Sequence, residues 1–122
     1  MTLMEEASKG RVPREIEAVA SREGIEPAKL ARLVAAGRVV IPGNLRRVGL
    51  EPAGIGEGLT TKVNVNVGTS QNLDSPENEV EKAMAAVEAG ADAVMDLSTG
   101  GDLDLVRRKI LDAVGRSTGC ER

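Results

Sequence analysis

Hydrophobic residues in the first fifty positions recur at the spacing of short amphipathic helices. After Pro13, the residues Ile16, Val19 and Ala20 form one apolar stripe, and the pattern ends at Gly24. Apolar side chains three and four residues apart share one face of an α-helix, and glycine commonly ends such a helix. The segment therefore predicts a helix that buries one stripe against a core.

A second stripe follows and is bounded by similar residues. Pro27 opens it, Leu30, Leu33 and Val34 align along it, and Gly37 closes it. The next residues, RVVIP, predict a short strand, because the final proline cannot continue a ladder of backbone hydrogen bonds. We interpret residues 1–48 as a helical N-terminal region with one short strand.

Three glycines, Gly54, Gly56 and Gly58, punctuate residues 49–61 and predict a connecting loop. Their G-x-G-x-G spacing precedes a strand, whereas the dinucleotide-binding motif G-x-G-x-x-G follows a strand and opens a helix. We therefore reject a dinucleotide site here. A backbone nest for an anion remains an alternative to the flexible turn that we favour.

The segment TKVNVNV predicts the first strand of a more regular region. Val63, Val65 and Val67 share one face of this strand, and Asn64 and Asn66 share the other. Strict alternation of apolar and polar residues is typical of a strand that buries one face. The amides therefore lie on the face that the valines do not occupy.

Residues 62–114 as a whole predict two consecutive βα units. Ser75 and Pro76 open the first helix, which ends at Gly90, and the second strand, DAVMDL, leads through STGG into another helix. Two such units in one sheet should run parallel, with a right-handed crossover. Residues 115–122 are expected to form a tail. The inward positions of the two helices are Val80, Ala83, Met84, Val87, Leu103, Val106, Ile110 and Val114.

Polar residues cluster where each predicted strand ends. Parallel α/β proteins, and most consistently (β/α)₈ barrels, place their sites in the loops at the carboxyl ends of the strands. The spacing alone therefore favours part of a βα barrel with a polar site for a small molecule. The candidates are Asn66, Gly68, Thr69, Ser70, Asp96, Ser98, Thr99, Gly100 and Gly101.

Each candidate also has a structural interpretation. Asn64 is more simply a buried amide that neighbouring backbone groups satisfy, and Met95 taken alone is a core residue. Hydroxyls of the first loop could cap the turn, and Ser98 or Thr99 could cap the next helix. Asp96 is balanced between a site and structural hydrogen bonding, because a buried carboxylate needs paired donors.

Composition narrows the possible chemistry. The chain has no Phe, Tyr, Trp or His. Its core therefore lacks large aromatic contacts, and we expect low stability in isolation. Without histidine, any acid–base chemistry falls to carboxylates, amides, hydroxyls, lysines or arginines.

Cysteine content and charge bear on compartment and partners. Cys120 is the only cysteine, and no leader or long apolar run is visible, so we expect a cytoplasmic protein without membrane contact. Residues 1–49 carry 9 basic and 6 acidic residues, and residues 50–122 carry 7 and 13, which gives −3 overall. This balance argues against nucleic-acid binding. A helix-turn-helix remains an alternative to the small helical cap that we favour for the N-terminal helices.

Four segments resemble the N-terminal portion of phosphomethylpyrimidine synthase, the ThiC family of thiamine biosynthesis. They are RVVIPGN, GIGEGL, TKVNVNVGTS and GADAVMDLSTGGDLDLVRRKIL. The resemblance covers residues 1–114, and KVN-x-N-x-GTS and MDLSTGG are its most specific motifs. It implies a small N-terminal domain before a (β/α)₈ barrel. We therefore expect an α/β chain with a helical N-terminal region and the first two βα units of a truncated barrel.

The resemblance also implies a reaction and two site residues. The family is a lyase that converts 5-aminoimidazole ribotide to 4-amino-5-hydroxymethyl-2-methylpyrimidine phosphate, using S-adenosylmethionine and a 4Fe-4S cluster in a radical rearrangement. Asn66 would contact the ribotide through its amide, and Met95 would line the pocket. No catalytic or metal-binding residue is carried over to this chain.

The chain departs from the family pattern in its cluster ligands. The family holds its cluster with a C-x-x-C-x-x-x-x-C motif, and here Cys120 stands alone. Three thiolates are needed to hold three irons and leave the fourth open. We therefore expect a truncated or partial synthase that is inactive alone. The alternative is a non-catalytic binding or assembly module that self-associates or docks on a full-length synthase.

Overall fold

The computed structural model of the protein describes residues 1–44, 46, 49–72 and 75–117. The chain divides into two compact units, Met1–Thr61 and Lys62–Arg122. Each unit has its own hydrophobic cluster.

Three helices open the first unit, with local reasons for their ends. Thr2 Oγ1 accepts a hydrogen bond from the Glu5 N–H, and the Glu5 carboxylate accepts one from the Thr2 N–H, which forms a capping box. Gly24 ends the second helix in the left-handed conformation that glycine adopts at low cost. The helices are α1 (Leu3–Ser8), α2 (Arg14–Glu23) and α3 (Pro27–Ala35).

The apolar stripes of α2 and α3 form the core of the first unit. Ile16, Ala20 and Leu30 are fully buried, and this confirms the helices that the sequence predicts. The opposite faces of both helices are polar. Burial of the apolar stripes is therefore the main contribution to the packing of α2 against α3. The other buried members of this cluster are Ala7, Val19, Ala31, Val34 and Val39.

A short antiparallel sheet completes the first unit. β1 (Val39–Val40) confirms the strand predicted in RVVIP, and it pairs with β2 (Ile55–Gly56). The sequence predicts only a loop where β2 lies. A Cβ atom at Gly56 would lie 2.2 Å from the carbonyl oxygen of Arg38, so this close pairing requires a glycine.

The second unit consists of two βα units in series. β3 and β4 pair in parallel, as predicted, with Asn64 opposite Ala93 and Val67 opposite Asp96. The prediction that Val63 belongs to the core face is wrong: it precedes the first paired residue and is 56% exposed. The elements are β3 (Asn64–Val67), α4 (Pro76–Glu88), β4 (Ala93–Asp96) and α5 (Leu103–Ser117). Of the tail predicted at 115–122, residues 118–122 with Cys120 lie outside the described residues.

Both helices of the second unit contribute to one apolar cluster with the sheet. Val67, Ala83, Val106 and Ile110 are buried together, which confirms the inward stripe predicted for α5. Because side chains alternate along a strand, the valines of β3 and β4 face the helices. The residues of the two strands that remain exposed on the other face are Asn64, Asn66, Ala93 and Met95.

The protein is therefore a small α/β chain with helices and two small sheets. Within the described residues, each sheet has two strands and neither closes into a barrel. In the same part of the chain, no helix is both long and apolar enough to cross a membrane.

Candidate functional site

The sheet face turned away from α4 and α5 carries both predicted site residues. Asn66 and Met95 are cross-strand partners in the parallel ladder, and each is the next-to-last residue of its strand. Neighbouring strands lie about 5 Å apart, so the amide and the thioether stand side by side. Both are exposed, Met95 by 49%. This pair, which we call the Asn66–Met95 pair, offers a polar and an apolar contact to one small molecule.

Asn64 shares this face two residues earlier in β3. Its Nδ2 donates a hydrogen bond to Asn66 Oδ1 at 3.1 Å, and its side chain is exposed. The interpretation of Asn64 as a buried amide satisfied by backbone is therefore wrong, because no helix of this unit covers its face in the described residues. The contact engages the carbonyl oxygen of Asn66, so Asn66 can offer its NH₂ group as a donor to a ligand.

Hydrogen bonds join the loop after β3 to the loop after β4. The Thr69 N–H donates to Ser98 Oγ at 3.1 Å, and Thr69 Oγ1 donates to the Gly100 carbonyl at 2.7 Å. The Thr99 N–H donates to the Thr69 carbonyl at 2.8 Å. Thr69 is 2% exposed and Ser98 is 9% exposed. These two hydroxyls therefore hold the loops together and do not face a ligand.

The cap of α5 is Asp102, one residue before the helix begins. Asp102 Oδ1 accepts a hydrogen bond from the Leu105 N–H at 3.0 Å, which is the usual contact of an N-cap residue. The alternative that Ser98 or Thr99 caps this helix is therefore wrong.

Asp96 lies on the helix side of the sheet, away from the Asn66–Met95 pair. Its side chain is 14% exposed, and Oδ1 accepts from the Ser98 N–H at 2.9 Å and from Ser98 Oγ at 2.5 Å. Oδ2 accepts from Arg107 Nε at 3.2 Å. Burial raises the pKa of Asp96, but the hydrogen bonds from Ser98 and Arg107 outweigh it and hold the pKa below its ordinary value of 3.8. The geometry favours the structural interpretation of this carboxylate.

We expect Asp96→Asn to lower the free energy of unfolding by about 1–3 kcal/mol at pH 7, because the amide keeps one acceptor oxygen but loses the charge that strengthens these bonds and the second acceptor that faces Arg107. The lowered pKa means that the unfolded chain binds this proton first. The contribution is therefore present above the ordinary pKa of 3.8 and is lost as the pH falls through the lower folded value. Urea unfolding of both proteins from pH 7 to pH 3 measures this difference.

The matched control for this prediction is Asp104→Asn. Asp104 lies 4.0 Å from the same Arg107 guanidinium, but its side chain is 80% exposed. Water and salt screen such a pair, so its removal should change stability much less. Equal losses in the two variants, or a difference that persists unchanged at pH 3, would contradict the role given to Asp96.

Glu79 is a buried carboxylate that the sequence interpretation missed. It is 3% exposed, and its Oε2 accepts a hydrogen bond from the Gly68 N–H at 2.6 Å. Its Oε1 lies 2.6 Å from Lys82 Nζ one turn along α4. Glu79 lies four residues before the buried Ala83, so helical spacing puts both on the inward face of α4. An acidic residue in the first turn is common in any helix, however, and gave no sign of burial.

Two cavities lie away from the Asn66–Met95 pair. One, of about 780 Å³, lies in the first unit and includes Leu3, Ile41 and Leu50 in its wall. The other, of about 400 Å³, lies between α4 and α5 and is lined by Val80 and Lys109 among others. The proposed site is instead an open, two-stranded surface.

The residues present do not fit an iron–sulfur cluster. Such clusters are held by several cysteine thiolates, and this chain has one cysteine, Cys120. Across the described ranges, no group of three or more His, Cys, Asp or Glu side chains could hold a metal ion.

Comparison with known proteins gives the family. The model of the radical SAM ThiC family matches residues 2–120. The phosphomethylpyrimidine synthase of Methanopyrus kandleri is 56% identical over 120 residues, which are 98% of this chain and 28% of that protein. The synthase of Archaeoglobus fulgidus is 54% identical over 114 residues, 93% of this chain and 27% of its own length. Phosphomethylpyrimidine synthase 1 of Methanosarcina mazei is 55% identical over 119 residues, 98% and 28% respectively.

The match covers nearly the whole chain, although the chain spans little more than a quarter of the length of these relatives. It also confirms the resemblance carried by the GTS and MDLSTGG motifs. The chain belongs to the radical SAM ThiC family, whose curated members include phosphomethylpyrimidine synthases.

Proposed function

We propose that this chain supplies one wall of the ribotide pocket of a phosphomethylpyrimidine synthase in thiamine biosynthesis. The observation that carries the proposal is the cross-strand pairing of Asn66 with Met95 on the uncovered face of the sheet. In this function the Asn66 NH₂ group donates to the ligand, and the Met95 side chain packs against its ring. The proposal concerns this wall and not the complete reaction, because the chain spans about 28% of its relatives.

The arrangement of β3 and β4 supports a place in a larger barrel. In such a barrel the helices lie outside and the opposite face of each strand points inward. Here α4 and α5 share a cluster with the valine face, and the amide face is exposed. We propose that this amide face is the inward face of a (β/α)₈ barrel whose remaining strands contribute the other contacts.

The name of the radical SAM ThiC family indicates radical chemistry with S-adenosylmethionine. A 4Fe-4S cluster would supply the electron for that chemistry, and the residues present here do not fit one. We therefore propose that this chain alone binds 5-aminoimidazole ribotide without converting it.

A non-catalytic assembly module remains the second candidate function. One observation favours it: three apolar residues at or next to the exposed sheet are themselves exposed, namely Val63 by 56%, Met95 by 49% and Leu97 by 52%. Exposed apolar groups on a short sheet favour association with another chain. The partner would be a second copy or a full-length synthase.

We expect Asn66→Ala to weaken ribotide binding at least tenfold, which is about 1.4 kcal/mol and the size of one well-placed hydrogen bond. Titration of the isotopically labelled chain with 5-aminoimidazole ribotide, followed by NMR, measures even weak binding. In the parent, the side-chain amide of Asn66 and the methyl group of Met95 should shift on titration. Asn78→Ala is the matched control, because Asn78 is an exposed amide on α4.

Three results would count against this function. Equal affinities in the parent and in Asn66→Ala would remove Asn66 from the site. Loss of binding in Asn78→Ala would show that the ligand sits elsewhere. If the signals of the parent broaden as its concentration rises and do not shift when the ribotide is added, the assembly module is favoured.

A further inference from the structure

We propose that Ser98 and Glu79 are positioning residues for the Asn66–Met95 pair, an inference that rests on the proposed function. Neither side chain belongs to the exposed sheet face: Ser98 is 9% exposed and Glu79 is 3% exposed. Each instead holds one backbone N–H of the loop that directly follows β3. Their effect on a ligand would pass through the position of that strand end.

Glu79 fixes the first residue of the loop. The Gly68 N–H donates to Glu79 Oε2 at 2.6 Å, and Gly68 lies two residues after Asn66. Hydrogen bonds from a backbone N–H to an ionised carboxylate are short and strong. Lys82 Nζ lies 2.6 Å from the other carboxylate oxygen and balances the buried charge. The contact ties the end of β3 to the first turns of α4.

Ser98 fixes the second residue of the loop. Its hydroxyl has one hydrogen, which it donates to Asp96 Oδ1 in a hydrogen bond of 2.5 Å. An oxygen lone pair then faces the Thr69 N–H at 3.1 Å. Arg107 Nε holds the other oxygen of Asp96 at 3.2 Å. A chain of hydrogen bonds therefore runs from Arg107 of α5, through Asp96 at the end of β4 and Ser98, to the loop after β3.

The two contacts act together on the geometry of the site. Asn66 and Met95 lie on different strands, so their spacing depends on how the ends of β3 and β4 are held to each other. The ladder ends only one residue later, where Val67 pairs with Asp96. Past that point, backbone bonds from the Leu97 N–H to the Val67 carbonyl and from the Thr99 N–H to the Thr69 carbonyl continue the pairing. The side chains of Ser98 and Glu79 add a further contact to each of the first two residues of the loop. A pair held in advance loses less conformational entropy when a ligand binds.

The test uses the full chain and 5-aminoimidazole ribotide as the probe. Ser98→Ala and Glu79→Ala should each raise the Kd about fivefold to tenfold, as expected for loss of one buried hydrogen bond. Ser98→Thr and Glu79→Gln keep an acceptor oxygen and should stay within about twofold of the parent. Ile110→Val is the stability control, since it trims a core residue of α5 that is 5% exposed and joins neither loop. It should leave the Kd of the folded protein unchanged.

Amide hydrogen exchange without ligand gives an independent readout. Ser98→Ala should speed exchange at Thr69 by about tenfold or more relative to Ile110→Val at matched global stability, because that N–H loses its acceptor. Unchanged exchange at Thr69 would overturn the inference. So would a Kd for Ser98→Ala equal to that of Ile110→Val. If the parent chain does not bind the ribotide, the proposed function is overturned and Ser98 has only a structural role. The exchange rate at Thr69 then still shows whether Ser98 holds the loop.

Discussion

Gly100→Ala is expected to lower the free energy of unfolding by about 3 kcal/mol, the upper end of the cost of overpacking a tight site. A Cβ atom at Gly100 would lie 2.5 Å from the carbonyl oxygen of Ser70 and 2.9 Å from the backbone nitrogen of Gln71. These are backbone atoms, so no side chain can rotate away. The two loops would have to separate, and the bond from Thr69 Oγ1 to the Gly100 carbonyl would be lost.

Urea unfolding followed by circular dichroism measures this loss, since the chain has no aromatic residue to report by fluorescence. Gly43→Ala is the matched control, because a Cβ atom there meets nothing within 4 Å and the backbone conformation is not left-handed. It should be neutral or slightly stabilising, through reduced freedom of the unfolded chain. Similar stability of the two variants would show that the close approach of the loops is not needed.

The elements with strong local signals were predictable from the sequence. The stripes of α2 and α3 end at glycines, and the buried residues are those that the periodicity selects, including Ile16 and Leu30. Parallel pairing of β3 with β4 followed from the strand–helix–strand order, because a crossover helix brings the second strand back alongside the first. In these cases the local pattern and the tertiary packing agree.

Other features depend on contacts between residues far apart in the chain, and the local pattern could not show them. β2 is two residues long and is set by its partner β1, about sixteen residues earlier, so no periodicity marks it. Glu79 looks like any acidic residue in the first turns of a helix, yet it is buried because Gly68 donates to it. Burial of a charge is decided by the partner that satisfies it.

The candidate site also has a part that the sequence indicated and a part that only long-range contacts decide. The family resemblance implied that Asn66 and Met95 contact one ligand, whereas Met95 taken alone suggested a core residue. The structure has the two as direct cross-strand partners, and Met95 is 49% exposed. The hydroxyls of Thr69 and Ser98 read equally well as ligands or as loop contacts, because their chemistry is the same in both roles. Only the acceptors and donors across the two loops decide between these interpretations.

We expect Leu30→Ala to lower the free energy of unfolding of the first unit by about 2–5 kcal/mol, through lost apolar transfer and the cavity that remains. Leu30 is fully buried among the residues of α2 and α3. A core of roughly sixty residues rarely supplies more than about 3–5 kcal/mol. The loss therefore equals most of the stability of residues 1–61, and these residues should be largely unfolded in the variant.

Amide hydrogen exchange and NMR signal dispersion of α2 and α3 measure this outcome directly. Leu111→Ala is the matched control: it removes the same atoms from α5, where the side chain is 51% exposed. Its cost should be well under about 1 kcal/mol, because little surface changes its exposure to water. Retained protection of the α2 amides in Leu30→Ala would contradict this estimate. It would mean that the free energy lost with the Leu30 side chain is smaller than the free energy of unfolding of residues 1–61.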